Sequence, residues 1–407
     1  MPSLSKTPLA IQWLAQFNEA DRELAAHLVD EVLLVGRDEF ATAVFKLLDE
    51  ASLQPSKRQR KLAIYAERRV KSVFGTTPAY FRNSRKGRAE GTGVQPVVAD
   101  ARDQEVGSEG VVAQLITDYC RRHRASAFSH PGPTKMRKEK ITDVILVTDF
   151  IGSGSRIEEM LESFRYVATL RSWRSYGLIE FRVIAYAGTE FGISRLRSHK
   201  LRPNIHVFTS SPTIANTFHG RAKGKIEDLC EKYPSGHKAP FGFFDTEALI
   251  AFAHGCPNNA PALLHSSARG WTPLFKGRSA ADAPSSLFVG SGKAALDQRA
   301  SRLLKVRTAR EHLNDSEEAW ILTLIVLAAV ESGAHSVPRI SARTHLSMSN
   351  VKRLLRLVET VGWIDDAVRL TPVGKAELGR LRNRRRYQPV LPSDDFKFYY
   401  PTQLRAP

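Results

Sequence analysis

The stretch Val144-Ile-Leu-Val-Thr148-Asp149-Phe-Ile-Gly152-Ser153-Gly154-Ser155-Arg156 narrows the fold of this chain more than any other. Consecutive aliphatic residues from Val144 to Val147 predict a strand buried on both faces, as in a parallel sheet. A polar residue and a carboxylate follow, and then a Gly-Ser-Gly-Ser turn. Ile157, Met160, Leu161 and Phe164 next recur at helical spacing. A strand, a glycine–serine loop and a helix in that order make a cradle for an anion. Glycine lets the backbone approach a phosphate closely. The first amides of a helix lack internal partners and lie at the positive end of its dipole. The expectation is a phosphorylated ligand at Gly152, Ser153, Gly154 and Ser155, with Asp149 on its hydroxyls. The plain alternative is a strand-to-helix turn without a ligand, with Asp149 as a helix cap.

A chain of 407 residues has room for two or three domains. Its 42% hydrophobic and 25% charged residues are ordinary for a soluble globular protein. No run of about eighteen apolar residues suggests a membrane span. The N-terminus lacks the basic and then apolar pattern of a secretory signal. Cys120, Cys230 and Cys256 are widely spaced and odd in number, so reduced thiols in a cytoplasmic protein are expected. No metal-ligand spacing stands out, and His130, His219 and His254 are read as structural. The net charge of +18 favours a polyanionic partner, with a generally basic surface as the alternative.

Ile11, Leu14, Phe17, Leu24, Leu28, Val32 and Leu33 recur at helical spacing, and a further helix is expected from Arg37 to Ala51. Leu62 to Phe74 mixes basic and apolar residues and is read as part of the same helical layer, residues 1–80. A loop at Arg82 to Gly93 and a strand at Val94 to Ala99 come next, and then a helix opening at Ser108-Glu109. Ile179 to Ala187 and Ile205 to Phe208 read as further strands. Strands alternating with helices predict a parallel sheet covered on both faces, with ligands outside the carboxyl ends of its strands. This α/β domain is placed at 81–285 and a linker at 286–310. The pattern then changes to an apolar helix (Trp320 to Val330), a short helix (Ile340 to Thr344), a turn and a second helix (Ser349 to Val361). A small hairpin and a closing helix from Pro372 complete a winged helix-turn-helix, placed at 311–390, with a tail at 391–407.

Val144 to Ser155 resembles the PRPP-binding motif of type I phosphoribosyltransferases, in which two adjacent acidic residues precede a Gly/Thr/Ser-rich loop. The resemblance implies that Asp149 is the second acidic residue, on the ribose hydroxyls, and that Gly152 to Ser155 hold the 5-phosphate. Thr148 stands at the first acidic position. Its hydroxyl can bond ribose but supports a magnesium-bound pyrophosphate less well, which puts transferase turnover in doubt. The chain is also similar to phosphoribosyltransferase-like proteins of bacterial conflict systems, including those accompanying retron reverse transcriptases. The matching pieces are Trp13-Leu-Ala-Gln-Phe17, Gly107-Ser-Glu109, His130-Pro-Gly-Pro133, Asp149-Phe-Ile-Gly-Ser-Gly154, Pro257-Asn-Asn259 and Tyr399-Tyr400-Pro401-Thr-Gln-Leu404-Arg405. The winged helix after the first domain fits the retron-associated version.

This resemblance implies an α/β type I phosphoribosyltransferase-like domain with an N-terminal helical layer and a C-terminal winged helix. It implies an antiphage effector that binds PRPP or a phosphoribosyl nucleotide, with any Mg2+ carried by that ligand. Its partners would be nucleic acid, a reverse transcriptase–RNA/DNA complex, or both. A nucleotide-sensing transcription regulator and a salvage phosphoribosyltransferase are the rival readings. Ser108 and Glu109 could form a pyrophosphate-side loop or a simple cap. Asn258 and Asn259 could line a base pocket or only a turn. On the recognition helix, Ser347, Ser349, Asn350, Lys352, Arg353 and Arg356 suit phosphates and base edges, and Arg384, Arg385 and Arg386 suit the nucleic-acid backbone beyond the wing. Protein contact is the alternative use of such a domain.

Overall fold

The computed structural model describes residues 3–54, 59–70, 76–84, 87–96, 108–275, 300, 303–304 and 318–382. Arg384 to Arg386, the linker core and the tail lie outside these residues. Five parallel strands in the order β3-β2-β4-β5-β6 form the central sheet. They are β2 (Leu62–Ala66), β3 (Ala127–Ser129), β4 (Asp143–Ile151), β5 (Glu180–Gly188) and β6 (Asn204–Ser210). A separate parallel pair joins β1 (Leu33–Val35) to β7 (Ile250–Phe252).

The helices of this part are α1 (Pro8–Leu14), α2 (Glu19–Asp30), α3 (Arg37–Leu53), α4 (Ser108–Arg122), α5 (Pro133–Glu139), α6 (Ser155–Arg165), α7 (Ala168–Ser175), α8 (Glu190–Arg197), α9 (Ile214–Thr217), α10 (Gly220–Lys232) and α11 (Ala262–His265). Alternation along the strands divides the core. Ile64, Ile145, Val147, Ile184 and Tyr186 meet α3 and α4 on one face. Ala63, Tyr65, Val144, Leu146, Phe181 and Val183 meet α5, α6 and α7 on the other. A third apolar cluster joins α1, α2 and α10 to residues 249–275 beside the sheet.

Three details depart from the sequence expectations. Leu62 to Ala66 is strand β2, wholly buried between β3 and β4, rather than part of a helical layer. Five residues are too few to reveal a period, and the flanking lysines and arginines mask their burial. Leu33, read as the last of the N-terminal residues at helical spacing, begins β1 instead. Residues 94–96 are not a strand, and Gly93 makes only a bridge to Pro131.

The C-terminal part folds as α12 (Glu318–Glu331), α13 (Val337–Thr344), α14 (Met348–Thr360) and α15 (Pro372–Arg382), with an antiparallel bridge between Ile364 and Leu370 as the wing. This is the expected winged helix, with its own core of Ile325, Leu327, Ile340, Val351, Leu354 and Val358. Helices α13 and α14 pack against the edge strand β6. Ser341 Oγ accepts from the Ser210 amide at 3.1 Å and donates to the Leu346 carbonyl at 2.7 Å. The domain thereby covers a sheet edge that would otherwise expose unpaired backbone groups. No helix among the described residues is long and apolar enough to cross a membrane.

Candidate functional site

The parallel register sets Val147 opposite Ala66, which brings Glu67, just past β2, beside Thr148 on β4. The Thr148 hydroxyl donates to Glu67 Oε2 at 2.5 Å and lies 3.3 Å from Asp149 Oδ1. Asp149 Oδ2 meets His254 Nε2 at 3.1 Å. Arg156, on the first turn of α6, places Nε 2.9 Å from Glu67 Oε1, and its guanidinium also closes on Glu109 of α4. Two strand ends, two helix starts and the segment after β7 therefore converge, at the carboxyl end of a parallel sheet where such folds bind ligands.

Gly152 to Ser155 follow directly. A β-carbon on Gly152 would lie 2.1 Å from Asn259 Oδ1, so the asparagine rests on the bare backbone. Gly154 has φ +75°, a left-handed conformation that favours glycine, and the Gly192 carbonyl approaches it closely. Thr189 donates to the Gly152 carbonyl at 2.6 Å, and the Ser153 and Ser155 hydroxyls pair at 2.9 Å. Among the described residues, no backbone acceptor bonds the Gly152, Ser153 or Gly154 amides. Amides left open at a helix start suit an anion.

The two carboxylates are tuned apart. Burial pushes Asp149 up, but its hydrogen bond to His254, the charge there, and bonds from Ser108 and the Phe150 amide outweigh it and hold Asp149 below the ordinary value. Burial dominates at Glu67 and raises it, against the opposing pull of Arg156 and Thr148. His254 is buried between Phe40 and Phe252, and its Nδ1 has no hydrogen-bond partner among the described residues. Glu67 Oε1 is ion-paired with Arg156 Nε at 2.9 Å and has no further hydrogen-bond partner among the described residues.

The structure gathers Thr148, Asp149, Ser108, Glu109, Gly152, Ser153, Gly154, Ser155 and Asn259 at one place. Asn259 Nδ2 donates to the Phe243 carbonyl at 3.1 Å and to Thr246 Oγ1 at 3.0 Å. Asn258 is exposed, and only its carbonyl is used, by the Phe243 amide. Glu67, Arg156 and His254 were missed. Glu67 had a usable signal, a carboxylate at the carboxyl end of a buried strand, but that strand went unrecognised. His254 had none, because it reaches Asp149 from 105 residues away. Among the described residues, no group of three His, Cys, Asp or Glu side chains is placed to hold a metal ion.

In the winged helix, Ser347 caps α14 by accepting from the Asn350 amide and is itself buried. Ser349, Lys352, Arg353 and Arg356 are exposed, and Asn350 is half-buried.

The sequence model of the family described as PRTase-CE matches residues 10–276. A second, described as wHTH-PRTase associated, matches residues 324–406. No curated protein matches the chain.

Proposed function

The chain belongs to the PRTase-CE family, and on that premise we propose that it is a phosphoribosyltransferase-like effector of bacterial antiphage defence, of the retron-associated kind. Its ligand is a phosphoribosyl nucleotide or PRPP. The 5-phosphate lies on the Gly152–Ser155 turn at the start of α6, where the amides of Gly152, Ser153 and Gly154 have no backbone acceptor among the described residues and the helix dipole meets its charge. Asp149 accepts from the ribose hydroxyls, and its lowered pKa keeps it ionised for that role. A PRPP-type ligand brings its own magnesium on the pyrophosphate.

The observation that carries this reading is the double clamp on the turn. His254 holds Asp149, and Asn259 rests on Gly152, so one short segment after β7 fixes both the aspartate and the first glycine of the phosphate cradle. Such preorganisation is worth its folding cost where a ligand must be met at fixed geometry.

The winged helix turns Lys352, Arg353 and Arg356 outward on α14, where they suit the phosphates of nucleic acid or of a reverse transcriptase–RNA/DNA complex. Calorimetry with ribose 5-phosphate tests the pocket, with Asp149→Asn and Gly154→Val each expected to weaken binding by at least about tenfold in a folded protein. A plaque assay with the same variants tests the defence role, and the expected result is lost protection. Unchanged affinity in both variants would remove the pocket, and unchanged protection would remove the effector role.

A further inference from the structure

The end of the sheet away from the phosphate cradle carries a second surface. Helix α5 leads into the start of β4, α7 into the start of β5, and the turn at Lys200 to Arg202 into the start of β6. All three therefore meet at the amino ends of the parallel strands. Arg174 Nε donates to the Leu201 carbonyl at 3.3 Å, which ties α7 to that turn. The Arg137 guanidinium of α5 lies 5.4 Å from the centre of the Trp173 ring on α7. Arg171 stands one turn before Arg174 on the same helix.

The cations of this face differ from those around it. Arg165 and Arg195, on α6 and α8, are paired with Glu162 and Glu158. Arg171, Lys200 and Arg202 are exposed and have no carboxylate at ion-pairing distance among the described residues. Burial and then the charge of Arg88 depress Arg137, against the pull of Glu90, so cations crowd there as well. A basic side chain in the last turn of a helix offsets its dipole, which accounts for Arg137 and Arg174. It does not account for Arg171, within α7, or for Lys200 and Arg202, in a turn. Tyr176 closes α7 with 79% of its surface exposed. Unpaired cations around an exposed aromatic ring match a strand whose phosphates are regularly spaced and whose bases are free to stack. A duplex keeps its bases in its own stack, so the tyrosine favours a single strand.

We infer that this face binds single-stranded nucleic acid, with Arg171, Lys200 and Arg202 on its phosphates and Tyr176 stacked on a base. The phosphate cradle takes no part, and the contact is separate from the one proposed for α14.

The test is fluorescence anisotropy of the full chain with a labelled oligothymidylate of about twenty nucleotides. It is run on the wild type and on a Lys352→Ala, Arg353→Ala, Arg356→Ala protein, which isolates this face from α14. In both, Arg171→Ala, Lys200→Ala and Arg202→Ala together are expected to weaken binding at least about tenfold near physiological salt. They are also expected to flatten the plot of log affinity against log salt by about two, the value for three phosphate contacts on a single strand. Tyr176→Ala is expected to weaken binding at least about fivefold with that slope unchanged, because stacking releases no counterions. A duplex of the same length is expected to bind more weakly and to be indifferent to Tyr176→Ala. The four side chains are exposed, so thermal melts are expected to coincide with the parent protein. Absence of binding, or affinity and slope unchanged by the triple substitution, overturns the surface. A duplex bound as tightly, with Tyr176→Ala silent, overturns the single strand as its partner. Ribose 5-phosphate affinity is expected to be unchanged in these variants, so the pocket stands or falls separately.

Discussion

Strand β4 carries a buried aspartate at its beginning and a half-buried one near its end, and their surroundings differ in kind. Asp143 is fully buried and fully bonded. Arg182 Nε donates to Oδ1 at 2.6 Å, Arg60 Nη1 to the same atom at 2.7 Å, and Thr142 Oγ1 to Oδ2 at 2.7 Å. Arg182, itself 0% exposed, is completed by Gln54 and by Glu180. Around Asp149 the count does not close. His254 Nδ1 is buried without a hydrogen bond among the described residues, and Glu67 Oε1 has the Arg156 ion pair alone. Leaving a buried polar group unbonded costs about 1–3 kcal/mol, so a fold keeps such groups where something else gains from them. A closed polar network fastens structure, and an open one at a strand's carboxyl end awaits a ligand.

The hardest test of this contrast is Asp143→Ala. It leaves two arginines with their shared carboxylate gone, one of them wholly buried, and breaking such a pair costs about 3–5 kcal/mol. Denaturant unfolding should show that loss, and a variant as stable as the wild type would break the contrast. Asp149→Asn, by comparison, should cost ligand affinity rather than stability.

A smaller effect is expected where the winged helix meets the sheet. Ser341 is buried and closed like Asp143, with Ser210, Leu346 and Thr209 as partners. Ser341→Ala leaves the Ser210 amide and the Leu346 carbonyl to find other partners, a loss of about 1–2 kcal/mol in the unfolding transition. Exposure of the β6 edge to proteolysis should rise with it. Intact stability and protection would mean that the winged helix sits on the sheet without depending on this hydroxyl.

The legible parts of the sequence were those whose signal is local. The run from Val144 to Phe164 shows strand, turn and helix within one window, and β5, β6, α3, α4 and the winged-helix pattern are similarly continuous. What escaped depends on pairing across distance. Strand β2 is five residues long and shows its burial only once β3 and β4 flank it. The Glu67–Thr148 bond follows from the register of two strands some eighty residues apart, which composition does not encode. Asn259 was legible as a candidate because it sits in a turn of Pro and Asn, but its seat against Gly152 needed the tertiary structure. His254 had the wrong neighbours in sequence and the right ones in space.

The smallest predicted effect carries the most information about the open network. Glu67 has its pKa raised by burial, so its surroundings disfavour the ionised form. A carboxyl raised in the folded state binds its proton more tightly there than in the unfolded chain. Its contribution to stability is therefore most favourable at low pH, and it declines as pH rises from the ordinary carboxylate range through the raised value. Asp149 has the opposite sign, and its contribution is lost as pH falls through its lowered value. Glu67→Gln copies the uncharged form and should stabilise the protein by about 1 kcal/mol near neutral pH, a gain typical of relieving a functional compromise. The gain should vanish below the ordinary carboxylate range, about pH 4, where the wild-type side chain is itself protonated. Thermal melts of the two proteins across that interval read the difference directly. A stabilised Glu67→Gln protein would assign the ionised carboxylate to function at the expense of stability, whereas a destabilised one would place Glu67 with Asp143, as a closed ion pair that Arg156 completes.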